Sequence, residues 1–203
     1  PDRPSDTLGR RLFGNPDEAF AQSKPKRGLL TPSEVRVVAL AELDLGPSSV
    51  MWDIGAGSGS VAIEAAQIAG AGQTFAIEMD QADYELILTN AEKFKVSNLT
   101  AIHGRAPDAW KDLPDPDCVF VGGLGREISR LMDLAYDRLR PGGRLVANVG
   151  SIENLGDVHA MLQRKSSNVN AWMINVARGA HQFERIRFEA LNPTFLLSVT
   201  KPR

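Results

Sequence analysis

Between Met51 and Ser60 the chain reads MWDIGAGSGS, and the helical pattern SVAIEAAQIAG begins within it at Ser60. A strand that enters a helix through a glycine turn is the opening unit of a doubly wound sheet. The crossover has to be tight and right-handed for the helix to fold back on its strand. The chain on either side repeats that grammar. TPSEVRVVALAELDL has Thr31 as N-cap, Pro32 at the first helical position and Glu34 at the capping-box position. GQTFAIEMD is strand-like, Asp80 caps QADYELILTNAEKFKV as a helix, and LTAIHG and DCVFVGG read as buried strands. REISRLMDLAYDRL is an amphipathic helix, GGRLVANVG a strand and SIENLGDVHAMLQR a further helix. VNAWMINVARG and NPTFLLSVT have no helical pattern between them, so they are expected to run antiparallel. The expected fold is α/β, with a seven-stranded, mostly parallel sheet and one antiparallel edge strand.

In such a sheet the ligand lies beyond the carboxyl ends of the strands, where the strand order reverses next to the first strand. Asp53, Gly55, Ala56, Gly57, Ser58 and Gly59 occupy that place. A dinucleotide fingerprint would read G-x-G-x-x-G; here the third glycine comes one residue early, with Ser60 in the expected slot. Asp53 is more informative. A carboxylate at the mouth of a pyrophosphate site repels its ligand, whereas beside an ammonium it attracts. S-adenosylmethionine carries an α-ammonium and a sulfonium and no phosphate, so D-x-G-x-G-x-G favours it as cofactor. Glu78 closes the next strand, 19 positions after Gly59, where it can accept from the ribose hydroxyls.

Bulk properties narrow the class. The chain has 203 residues, a formal net charge of −2 and 43% hydrophobic residues, which suits one α/β domain without bias toward nucleic acid or membrane. No apolar run approaches the roughly 18 residues of a membrane span. The single cysteine, Cys118, excludes an internal disulfide, fits a cytoplasmic setting and sits in a buried strand pattern. Residues 1–28 are rich in Pro, Gly and charge and read as a linker or extension ahead of a domain at 29–203. A start at Pro1 suggests a piece of a longer protein.

GLLTPSEVRVVALAEL, DIGAGSGSVAIEAA, GRAPDAW, VFVGGLGREI, RPGGRLVANV and NVARG followed by LNPTFLLS resemble the decarboxylating precorrin-6B C15-methyltransferase family of cobalamin biosynthesis. The similarity runs from about Gly28 to Ser198. It implies a class I S-adenosylmethionine-dependent methyltransferase fold, which is Rossmann-like. It further implies methyl transfer to the C15 meso carbon of a precorrin, with loss of CO₂ from the C12 acetate. Thr31, Gly55 to Gly59, Glu78 and Ala106 sit on motif positions that line the family's donor pocket. LFGNPDEAF resembles the connector of fused precorrin-6Y C5,15-methyltransferases, in which a precorrin C5-methyltransferase domain precedes this one. A homotetramer is likewise implied by the family.

An electron-rich tetrapyrrole can itself be the nucleophile, so the protein needs chiefly to align the reacting atoms and exclude water. The conjugated macrocycle can also act as electron sink for decarboxylation. No catalytic acid–base pair is expected. A polycarboxylate acceptor calls for cations, and Lys24, Lys26 and Arg27, then Arg126, then Arg178 with His181 behind it, fall near the expected mouth. Of these, Arg27, Arg126 and Arg178 are the expected substrate contacts, with Gly122 and Gly123 giving a flat macrocycle access to backbone. Two residues depart from the family pattern. Arg105 stands where an acid commonly meets adenine, leaving the Ala106 backbone or Asp108 for that contact, and Asn148 and Gly150 replace apolar residues. Competing readings are a methyltransferase for nucleic-acid adenine or another small molecule, a dinucleotide-dependent oxidoreductase, and a non-catalytic binding module. The NPTF stretch at Asn192 hints at the first, but that adenine motif belongs directly after the strand ending at Val121.

Overall fold

The computed structural model describes residues 11–22, 30–182 and 184–203. In chain order, α1 (Ser33–Leu43) precedes β1 (Val50–Ile54), α2 (Ser60–Ile68), β2 (Gln73–Glu78), α3 (Gln81–Phe94) and β3 (Leu99–His103). Then come β4 (Cys118–Val121), α4 (Ile128–Arg138), β5 (Arg144–Val149) and α5 (Ile152–Lys165). The chain closes with β6 (Val169–Ile174), β7 (Ala177–Gln182), β8 (Arg185–Ala190) and β9 (Thr194–Thr200). Seven strands form one sheet in the order β3-β2-β1-β4-β5-β9-β6, and β7 and β8 form a separate ribbon.

Alternation along each central strand builds three layers. Trp52, Ile54, Val119, Val121 and Leu145 pack on one face with Leu131, Met132 and Ala135 of α4 and Val158 and Leu162 of α5. Met51, Cys118, Phe120 and Val146 pack on the other with Val35, Ala39 and Leu43 of α1 and Val61 and Ala65 of α2. Both faces are covered, which is why these strands read as near-continuous apolar runs. Cys118 behaves as expected: burial pushes its thiol up to about 12, and its Sγ lies 3.2 Å from the Leu43 carbonyl.

The seven-stranded, mostly parallel sheet agrees with the sequence reading, and some details differ. The reversed strand, β9, is not at the edge; it lies one strand in, antiparallel to both β5 and β6. LTAIHG, expected as a buried strand, is the edge strand β3 and only partly covered. The β3–β4 connection holds a single 3₁₀ turn at Asp108–Trp110, where a full helix would have covered that end of the sheet. VNAWMINVARG is not one strand. It breaks after Ile174, and β7 starts the ribbon. At α1 the cap residue is Pro32 and not Thr31, and the Ser33 amide is satisfied from elsewhere, by Asp17 Oδ1 at 2.9 Å.

That last bond belongs to a strap. Residues 11–22, the described part of the expected linker, lie along the helices α1, α2 and α3. Glu64 of α2 accepts the Gly14 and Asn15 amides, both at 2.8 Å, and pairs with Arg36 of α1 at 3.1 Å. Both charged side chains are wholly buried, a pairing that a low-dielectric interior tolerates only because each has further polar partners.

Topology gathers the ends that matter. β1 is parallel to β2 and β4 on either side, so the order reverses at the β1–β4 boundary. β5 and β6 both oppose β9, so β6 ends, the ribbon leaves and β9 begins at the same carboxyl edge. The 11 residues of α1, about 16 Å long, run toward the start of β1, which puts its N-terminus at that edge too.

Candidate functional site

At the carboxyl edge of β1 the glycine turn is held by its neighbours. The Gly55 and Ala56 amides both donate to the Ile77 carbonyl, at 3.0 and 3.1 Å. Gly55, Gly57 and Gly59 have φ values of 74°, 54° and 78°, the left-handed region that disfavours a side chain. Two of the three also lack room: a Cβ on Gly55 would lie 2.1 Å from the Gly122 carbonyl oxygen, and one on Gly59 3.2 Å from Ile87. The first glycine is thus fixed by the close approach of the loop after β4.

The two acids sit on either side of this turn. Asp53 is 1% exposed; its Oδ2 accepts the Ala62 amide at 3.0 Å, and its Oδ1 is buried without a hydrogen-bond partner. Burial pushes the carboxyl up from 3.8 to about 7, partly offset by the Ala62 bond, and the Glu78 charge pushes the same way. A buried acceptor with nothing to accept from is a costly feature unless a cation or donor arrives to use it. Glu78 is engaged three times. Its Oε2 accepts the Gly57 amide at 2.8 Å, and its Oε1 accepts from the Met79 and Asp80 amides at 2.8 and 3.0 Å. A carboxylate has about four acceptor positions, so Glu78 is aimed and locked yet keeps capacity for a hydroxyl.

Two ties were not anticipated from the sequence. One is the Glu78–Gly57 bond itself, which links the end of β2 to the glycine turn. The other is Asn90 of α3, wholly buried, whose Nδ2 donates to the Ser58 carbonyl at 2.9 Å and to that of Ala21 at 3.1 Å. Its Oδ1 accepts the Ala21 amide at 2.7 Å, so the strap and the turn share one side chain. The signal was present: Asn90 stands with Ile87 and Phe94 on the buried stripe of α3, a polar residue where the period calls for an apolar one.

The other expected residues are placed as follows. Thr31 precedes α1, its carbonyl held by Arg36 Nη1 at 2.6 Å. Ala106 lies in the loop after β3, partly buried against the core. Gly122 and Gly123 directly follow β4, and the Gly122 amide donates to the Ile54 carbonyl at 3.0 Å, which brings the pair against Gly55. Arg126 is exposed in the turn Gly125–Glu127 and has no ion-pair partner among the described residues. Arg178 is already engaged: Glu34 holds its Nε and Nη2 at 3.0 and 2.8 Å, and Asp17 holds Nη2 at 3.0 Å. The pair pulls the Glu34 carboxyl down to about 2. Arg105, the departure from the family pattern, pairs with Glu127 at 2.8 Å on the surface, joining the loop after β3 to the turn after β4. Arg27, with Lys24 and Lys26, lies outside the described residues.

Residues 22–201 match the family model of the precorrin methyltransferase domain. The chain belongs to that family. The cobalt-precorrin-6B C15-methyltransferase (decarboxylating) described for Pyrobaculum calidifontis is 35% identical over 91% of this chain and 94% of its own length. The precorrin-6Y C5,15-methyltransferase of a Sinorhizobium species is 40% identical over 66% of this chain, but the match spans only 33% of that protein. Among solved structures, the precorrin-6Y C5,15-methyltransferase of Geobacter metallireducens superposes with a TM-score of 0.87 at 36% identity, covering 94% of this chain and all of the other. An S-adenosylmethionine-dependent O-methyltransferase from Thermotoga maritima, at 19% identity and a TM-score of 0.74, shares the class I fold alone. In this chain the glycine turn, its two acids and the paired glycines after β4 stand at the one edge where the strand order reverses.

Exchanging Glu78 for Gln keeps the shape but turns an acceptor into an N–H facing backbone N–H groups. Glu78→Gln is expected to weaken S-adenosylhomocysteine binding about tenfold and to lower stability by about 1 kcal/mol. Calorimetric titration and thermal melting check both, and wild-type affinity in the variant would remove Glu78 from the site.

Proposed function

We propose that this chain is an S-adenosylmethionine-dependent C-methyltransferase that methylates a precorrin at C15 and decarboxylates its C12 acetate, in cobalamin biosynthesis. The observation that carries the reading is the unpaired, buried Asp53 Oδ1 beside a left-handed glycine turn, in a chain of the precorrin methyltransferase family. When bound, S-adenosylmethionine supplies a methyl group activated on sulfonium. Asp53 would take its ammonium, Glu78 a ribose hydroxyl, and Gly55, Ala56, Gly57, Ser58 and Gly59 the close backbone approach, with Thr31 and Ala106 at the rim. Gly122 and Gly123 would let a flat acceptor lie against backbone beside that turn. Arg126, and Arg27 with it, would meet acceptor carboxylates, whereas Arg178, expected to join them, is taken up by Glu34 and Asp17.

No acid–base pair is assigned. The residues' task is to hold the acceptor carbon in line with the transferring group and to exclude water, and the macrocycle carries the charge that CO₂ loss leaves behind. The support for a fused arrangement, with residues 1–28 as connector and 29–203 as the methyltransferase domain, is that the C5,15-methyltransferase relatives are about three times the matched length. We further propose a cytoplasmic homotetramer. Exposed apolar side chains on the last strands, including Phe188 at 71% and Met173 at 64%, support self-association. No helix among the described residues is long and apolar enough to cross a membrane.

Incubating the domain with S-adenosylmethionine and precorrin-6B and reading the product mass tests the reaction. Gain of one CH₂ with loss of one CO₂ is expected. Gain of CH₂ alone would separate the two activities, and no gain would reject the acceptor.

A further inference from the structure

The ribbon β7–β8 is exposed along nearly its whole length and pairs with no strand of the main sheet. Opposed residues of an antiparallel pair share a face, and successive residues alternate. The register sets Arg178 against Glu189, Ala180 against Arg187 and Gln182 against Arg185, which collects three arginines and one glutamate on one face. Gly179 against Phe188 and His181 against Ile186 make the other face largely apolar.

Arg178 decides the orientation. Its bonds to Glu34 and Asp17 turn the arginine face toward the N-terminus of α1 and hence toward the carboxyl edge that holds the glycine turn. Its own charge is answered by those two acids. Arg185 and Arg187 are not answered: neither has an ion-pair partner among the described residues, and the one glutamate of the face lies opposite Arg178. Residues two apart on a strand have Cα atoms roughly 7 Å from each other, so two like charges are rooted close together and an anion that spans them relieves their repulsion. An open concavity of about 830 Å³ lies at this end of the ribbon, where Arg185 and Arg187 are joined by Gln182, by the carboxylate of Glu184 and by Ile186 of the apolar face.

We propose that Arg185 and Arg187 form a recognition site for the carboxylates of a flat polyanionic acceptor, with the Arg178 ion pairs to Glu34 and Asp17 tethering the ribbon over the site. Each guanidinium offers a planar fork that matches a carboxylate, so the pair selects for a rigid molecule carrying several acid groups around its rim. The site rests on the acceptor reading above and adds to it the residues that set charge specificity.

The test uses the whole chain and fluorescence titration with uroporphyrin, which bears eight carboxylates, beside mesoporphyrin, which bears two. Arg185→Gln with Arg187→Gln is expected to weaken uroporphyrin binding about 30-fold or more and to flatten its salt dependence. Mesoporphyrin should change less, and S-adenosylhomocysteine affinity and melting temperature should stay as in wild type. Arg130→Gln, an exposed arginine on α4, should leave all of these unchanged. Uroporphyrin affinity in the double variant within twofold of wild type overturns the site, as does a wild-type chain that binds both porphyrins equally. A double variant that alters assembly mass and not porphyrin affinity also overturns it. Polycarboxylate binding through the arginines without any methylated precorrin would instead sink the acceptor assignment and leave the anion site standing.

Discussion

Asp53→Asn is expected to raise the melting temperature of the free domain by about 5 °C at pH 8 while weakening S-adenosylhomocysteine binding by about 100-fold. The two effects share one cause. Burial lifts the Asp53 carboxyl from 3.8 to about 7, so the folded state holds a proton that the unfolded chain releases. Stability therefore falls as pH rises from about 4 to about 7 and is then level, at a cost near 4 kcal/mol by the unit conversion. Asparagine carries no charge to desolvate and keeps an acceptor for the Ala62 amide. Its new N–H pair, unpartnered, returns about 2 kcal/mol of that gain. The stabilisation should hold level from pH 8 to about pH 7 and shrink from there toward pH 4. Ligand binding has the opposite pH dependence, because an ammonium needs the carboxylate. Wild-type affinity should climb as pH rises toward 7 and level off above it, with proton release on binding below that point. The variant's affinity should be flat. Calorimetry in buffers of different ionisation enthalpy reads both, and wild-type binding by Asp53→Asn would take the ammonium partner out of the site.

Much of the frame could be read before any coordinates because it depends on local rules. Strand–glycine–helix, the Asp80 cap and the apolar periods are near-neighbour effects, and Asp80 does accept the Ala82 and Asp83 amides as expected. What escaped depends on contacts between distant residues. The Ser33 amide could be capped by Asp17, 16 positions away, so the local Thr31 signal was overridden. The ribbon was legible in part: RIRFEA alternates charge and apolar character as a two-sided strand does, but its neighbour ARGAHQ is too small and polar to show a period. The exposure of β3 could not be read from its own residues at all, since it follows from a helix that the next connection lacks.

The same distinction applies at the site. Asp53, Glu78 and the glycines announced themselves by type and spacing. Their reasons are another matter, for the sequence suggests that the glycines make way for a ligand. At Gly55 the space is taken by the protein itself, by a carbonyl from the loop where the acceptor would lie. The two halves of the proposed site are thus in backbone contact, and a change at one should be felt at the other.

Gly55→Ala tests that contact and has the largest expected effect of any single substitution here. The left-handed φ of 74° alone costs a side-chain-bearing residue about 1–2 kcal/mol. The added Cβ would also lie 2.1 Å from the Gly122 oxygen and 3.3 Å from its carbonyl carbon. Backbone cannot step aside by changing rotamer, so the turn after β1 and the loop after β4 must move apart, and overpacking of this kind adds about 1–3 kcal/mol. A total near 4 kcal/mol lowers the melting temperature by about 12 °C for a chain of this size, and S-adenosylhomocysteine binding should be lost. Gly123→Ala is the matched control. Its φ of 68° is equally left-handed, but the nearest atom to its Cβ, the Gly55 oxygen, is an ordinary 3.7 Å away. It should cost only the strain, about 1 kcal/mol, and leave donor binding within a few-fold of wild type. If the two variants melt together, close packing between the loops is not what requires glycine at position 55, and the coupling of donor turn to acceptor loop falls with it.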